Sequence, residues 1–151
     1  VLGAQCSRAR GDRAKGAGMK DVEVVAHGLA AAPATVIALM TAGICRTANV
    51  TLTTLGGPKV GNSVFARAFA RRTNLRAYRL VAPLDLIPSL PPYRHEHVGD
   101  TWRFEGNAWV KAKRPAAVSM RCQGLDDHAL NLYSLRLQVF TAAQDSDSDS
   151  D

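Results

Sequence analysis

Between Asp21 and Gly43 the chain passes from a β-branched run directly into a stretch of small residues, with His27 and Gly28 at the join. Val22, Val24 and Val25 make residues 21–26 a short apolar strand of the kind buried in a parallel sheet. Leu29, Val36, Ile37, Leu39 and Met40 suit a helix over 29–42, and Gly43 suits its end. Pro33 falls near the first turn, where a missing N–H is tolerated. A strand followed at once by a helix is the unit from which parallel sheets are built, and it constrains this chain more than any other feature.

The pattern then repeats. Residues 49–55, Asn-Val-Thr-Leu-Thr-Thr-Leu, read as a second strand, broken by Gly56, Gly57 and Pro58. Ser63 to Arg72 reads as a helix with Val64, Phe65, Ala68 and Phe69 on one face. Leu75 to Val81 is a third strand, and Pro83, Pro88, Pro91 and Pro92 make the next stretch a rigid loop. Thr101 to Phe104 suits a further strand, and residues 127–140 a closing helix. Alternating strands and helices predict an α/β fold with a mainly parallel sheet flanked by helices. The 151 residues make one domain or part of one, and 46% hydrophobic residues are enough for a core.

Charge is distributed unevenly. The net charge is +6, and residues 145–151, Asp-Ser-Asp-Ser-Asp-Ser-Asp, hold four of the 13 acids. The remainder therefore sets 19 bases against nine acids. Residues 1–20, rich in Ala, Gly and Arg, read as a flexible basic lead, and 141–151 as a disordered acidic tail. A basic body can meet anionic lipid or nucleic acid. No aromatic-interleaved basic stripe supports nucleic acid, so no nucleic-acid partner is expected. No run approaches a membrane span, which makes the chain soluble or peripheral. It begins at Val1, which reads as a processed or incomplete N-terminus. Cys6, Cys45 and Cys122 form no C-x-x-C pair and read as buried free thiols. His95 and His97 flank Glu96, but alternation in a loop is weak support for a metal, and neither metal nor cofactor is expected.

Three positions stand where catalytic groups sit in open α/β sheets, beyond the carboxyl ends of strands. Gly28 follows the first strand, Asp85 the third, and His128 precedes the last helix. That is the chain order of nucleophile, acid and histidine in α/β-hydrolases. Strand, sharp turn and helix at 21–30 match a nucleophile elbow, whose tip normally carries Ser. Here the tip is Gly28, which has no side chain to attack a carbonyl. A serine there would need an imidazole to take its proton, a carboxylate to orient that imidazole, and backbone N–H groups to receive the oxyanion. The N–H of Leu29 is placed for one of these donors. His27 precedes the tip and reads as a structural neighbour pointing elsewhere. Ser63 and Ser89 are not at an elbow and make poor substitute nucleophiles. The alternatives are a turn-forming loop acid next to Pro88 for Asp85 and a histidine at the start of the last helix for His128.

Several segments carry a closer likeness. Ala26-His-Gly-Leu-Ala-Ala31 resembles the Gly-His-Ser-Leu-Gly-Gly elbow of the fungal-type (class 3) triacylglycerol lipases. Thr53-Thr-Leu-Gly-Gly-Pro-Lys-Val-Gly-Asn62 is similar to their Thr-Phe-Gly-x-Pro-Arg-Val-Gly-Asn segment, with Phe65 in place. Asp85-Leu-Ile-Pro-Ser-Leu-Pro-Pro92 resembles the segment bearing the triad acid. His97-Val-Gly99 with Trp102 resembles the His-x-Gly run that follows, and Asp127-His128 with Tyr133 the segment bearing the triad histidine.

The likeness covers residues 21–140, the C-terminal half of the family's domain, and implies an α/β-hydrolase-like sheet lacking its N-terminal strands. It implies Asp85 as triad acid, His128 as triad base and Gly28 at the nucleophile's place. The substrate it implies is an acylglycerol or other lipid ester at a lipid–water interface. With Ser replaced by Gly28, the expectation is a chain inactive or nearly so. The alternative is a non-catalytic lipid-binding or regulatory module. Flanking glycines of the elbow have become Ala26 and Ala30, which predicts strand and helix slightly further apart.

Overall fold

A computed structural model describes residues 21–106, 108–112 and 125–138. The basic lead, the acidic tail, Cys6 and Cys122 lie outside the described residues. Five strands form one sheet in the order β1-β2-β3-β4-β5: Asp21–His27, Asn49–Leu55, Leu75–Val81, Asp100–Glu105 and Ala108–Lys111. The first four run parallel and β5 runs antiparallel against β4.

Helix α1 (Ala31–Ile44) packs on β1 and β2 through Ala31, Ala34, Thr35, Ala38 and Ala42. These small residues recur at helical spacing and let the helix lie close to the sheet. Opposite them, the alternating buried positions of the strands complete one core: Val24 and Ala26, Val50 and Leu52, Leu75 and Ala77. Helix α2 (Ser63–Ala70) adds Phe65 and Phe69 to this core. It starts where the Asn62 side chain accepts the N–H groups of Val64 and Phe65, each at 3.1 Å. A second core contains Leu55, Ala82, Trp109 and Tyr133, with Leu80, Trp102 and Phe104 packed against it.

Beyond shifts of one or two residues at element ends, the structure departs from the sequence reading in three places. The expected helix over 29–42 opens as a 3₁₀ turn, Gly28–Ala30, before α1 proper. The closing helix is not continuous: a 3₁₀ turn at Asp126–His128 precedes a break at Ala129, and helix α3 runs through 130–138. Residues 139–140 of the expected helix lie outside the described residues. Strand β5 was not expected. It has four residues, of which only Trp109 is buried, so its own sequence carries little strand pattern.

Candidate active site

The end of β1 is extended at His27, and the chain reverses at Gly28 with φ +60° before entering the 3₁₀ turn. A residue with a Cβ is strained at that dihedral, and glycine is not. Gly28 is buried, and its position faces His128. A Cβ built on it stands 2.7 Å from His128 Nε2 and 3.1 Å from Cε1.

Asp85 lies in the loop after β3 and is 1% exposed. Three groups donate to its carboxylate. His128 Nδ1–H reaches Oδ2 at 2.9 Å and Oδ1 at 3.0 Å. The Tyr133 hydroxyl donates to Oδ2 at 2.8 Å, and the Ile87 N–H to Oδ1 at 2.9 Å. Tyr133 accepts in turn from the Ala82 N–H at 2.9 Å. Burial, above all, raises the phenol's pKa, so it stays a neutral donor. The carboxylate takes the proton-bearing Nδ1, which leaves Nε2 of His128 as the basic nitrogen turned toward position 28.

Two further residues hold His128. Asp127 accepts the Leu84 N–H at 3.1 Å and pairs with Arg136 at 2.9 Å, tying the 126–128 turn to the Asp85 loop. His27 donates from Nε2 to the His128 carbonyl at 2.7 Å, and the two rings stack with centroids 4.5 Å apart. His27 therefore does not point elsewhere: it lies against His128. Its pKa is lowered, chiefly by burial.

Gly56 is a site residue that sequence reasoning missed. Its φ is +57°, and a Cβ there would collide with Asp85 Oδ2 and lie 2.9 Å from the Tyr133 hydroxyl. The only sequence signal was the Gly56-Gly57 pair after a strand, read as a break. Leu29 follows Gly28 in the 3₁₀ turn with its side chain 70% exposed, and the first N–H groups of such a segment lack helical partners.

Other candidates stand apart from the acid–histidine pair. His97 is half-buried and donates from Nε2 to the Pro88 carbonyl at 2.8 Å. Burial first, then the neighbouring charge of Arg79, push its pKa down to about 3. His95 bonds the Tyr93 carbonyl, and no group of three metal ligands occurs among the described residues. Ser63 opens α2, and the Ser89 hydroxyl donates to the Leu86 carbonyl at 2.6 Å. Cys45 is free and partly buried.

A mostly parallel sheet, a strand-to-helix reversal at a positive-φ glycine and a carboxylate–imidazole pair beyond the strand ends define an α/β-hydrolase-type domain. The family described as Lipase (class 3) matches residues 14–95, more than half of the chain, and the chain belongs to that family. Among solved structures it is similar to a triacylglycerol lipase reported to have a serine-protease triad as its catalytic centre. Identity there is 30% and the TM-score 0.54, over 58% of this chain and 35% of that one. It is also similar to the triacylglyceride lipase of Rhizomucor miehei, at 28% identity and TM-score 0.54, over 58% of this chain and 34% of that one. The chain thus spans about a third of the length of these relatives. No curated protein matches it.

Proposed function

We propose that Asp85 and His128 are the acid and base of a lipid-ester hydrolase site in which Gly28 stands at the nucleophile's place. In an intact site of this kind a serine attacks the ester carbonyl while the imidazole takes its proton, and the acyl-enzyme is then hydrolysed by water. The Leu29 N–H is one oxyanion donor. Here the orienting bond to the imidazole is present and the attacking oxygen is not, so the chain as it stands turns over esters at a trace level or not at all. Loss of a triad nucleophile lowers the rate by about 10⁶ in a serine protease. One observation carries this reading: a side chain at position 28 would meet His128 Nε2 directly. The substrate class is an acylglycerol or related lipid ester.

Covalent labelling tests it. A fluorophosphonate probe should leave the unaltered chain unmodified and label Gly28→Ser at residue 28, as read by peptide mass spectrometry. Turnover of p-nitrophenyl butyrate by the unaltered chain that disappears in His128→Ala would overturn the assignment of an idle site.

A second reading has its own support. Val36, Ile37, Met40 and Ile44 are exposed along α1, and Leu29 is exposed beside them in sequence. An apolar stripe on a basic chain suits a non-catalytic domain that rests on lipid. Sedimentation with anionic vesicles, abolished in Met40→Glu/Ile44→Glu, distinguishes it. No helix among the described residues is long and apolar enough to cross a membrane.

A further inference from the structure

On the α1 face of the sheet, β3 places a charge in an apolar row. Leu75, Ala77, Arg79 and Val81 are its alternating buried residues, and Arg79 is 7% exposed. A guanidinium carries five N–H donors. One of them, on Nη1, donates to Thr101 Oγ1 at 2.7 Å, across the register pair that joins β3 to β4. No other hydrogen bond to this side chain, and no carboxylate in ion-pair contact with it, occurs among the described residues. Burial draws its pKa down only to about 10, so it is charged at neutral pH. A buried charge without a counter-charge is costly, which is why such groups are almost always paired.

Arg79 lines a small, partly open pocket with Thr35, Thr54 and His97. About 10 Å³ is left at its centre, room for one occupant of about water or halide size. Lys59 lies near His97 and, together with Arg79, opposes its protonation. Thr54, 4% exposed, lines the same pocket and carries a hydroxyl that can donate. The Thr35 hydroxyl is taken by the Ala31 carbonyl at 2.7 Å.

We infer that the cavity between Arg79, Thr54 and His97 is a binding site for one small monovalent inorganic anion of halide size. The anion supplies a counter-charge that no carboxylate among the described residues provides, accepts from the Arg79 guanidinium and the Thr54 hydroxyl, and locks β3 against α1. The site is independent of the Asp85–His128 pair and does not rest on the lipase reading.

Thermal unfolding of the full chain in sodium chloride, against sodium glutamate at equal ionic strength, tests this. Chloride at ten times its dissociation constant should raise the midpoint by about 3–6 °C, saturably. The increment should vanish in Arg79→Gln. Crystals grown in sodium bromide give a second measurement on the unaltered chain, which decides the matter if Arg79→Gln does not fold. An anomalous peak beside Arg79 supports the site. Equal midpoints in the two salts, or a cavity holding water with bromide elsewhere, would overturn it.

Discussion

Gly28→Ala isolates what the reversal at the end of β1 demands. Two effects add. The left-handed dihedral, φ +60°, costs a residue with a Cβ about 1–2 kcal/mol. The new methyl also stands 2.7 Å from His128 Nε2, where ordinary contact begins at 3.4 Å, so the imidazole must withdraw by about 0.7 Å. It cannot withdraw freely, because Asp85 holds Nδ1 at 2.9 Å and His27 holds the carbonyl at 2.7 Å. Weakening one such bond to a charged group costs about 1–2 kcal/mol. The sum is a destabilisation of about 2–4 kcal/mol. Gly106→Ala is the control, with φ +61° and nothing within 4 Å of the added Cβ. It carries the backbone effect alone. Urea unfolding of both variants at matched slope gives the difference, expected at about 1–2 kcal/mol in favour of Gly106→Ala. Equal losses would refute the idea that the imidazole is pinned against position 28. The same crowding bears on Gly28→Ser, whose side chain must displace His128 before the two can work together.

Two further outcomes follow from the site and its surroundings. Tyr133→Phe removes the donor to Asp85 and strands the buried Ala82 N–H, with an expected loss of about 1–3 kcal/mol in urea unfolding; an unchanged midpoint would mean that water replaces the phenol. His97 is neutral in the folded chain with its pKa near 3, while the unfolded chain takes up a proton below its usual 6.5. Its contribution to stability is complete above that value and is lost as pH falls toward 3, at up to about 1.4 kcal/mol per pH unit. His27, also lowered, acts in the same direction. Replacing His97 with Gln should flatten the acid limb of a stability–pH profile between pH 6 and 4, and an unaltered slope would remove His97 as its source.

Much of the fold was legible because local pattern and global architecture agree. The β-branched runs at 21–26, 49–55 and 75–81 form adjacent parallel strands, and the small-residue stretch forms the helix that covers them. The expected α/β class and the class 3 lipase likeness both hold. What failed had little local signal. Strand β5 exists because β4 offers it an edge, with Phe104 opposite Trp109, and not because four residues favour it. The break at Ala129 leaves His128 outside the closing helix, where its Nδ1 can reach Asp85, a demand no periodicity records.

The sequence by itself determined the order of elements and the absence of a side chain at position 28, because hydrophobic period and residue identity are properties of neighbours in the chain. It also named Asp85 and His128 as candidates, without deciding whether they meet. Only the tertiary structure brought them together across 43 residues, laid His27 on the imidazole and kept Gly56 bare so that Asp85 could sit there. It also buried Arg79 in a row of apolar residues with no carboxylate partner among the described residues. Those facts depend on which strand ends lie side by side, and that is settled by packing the sheet against its helices, not by any local stretch of sequence.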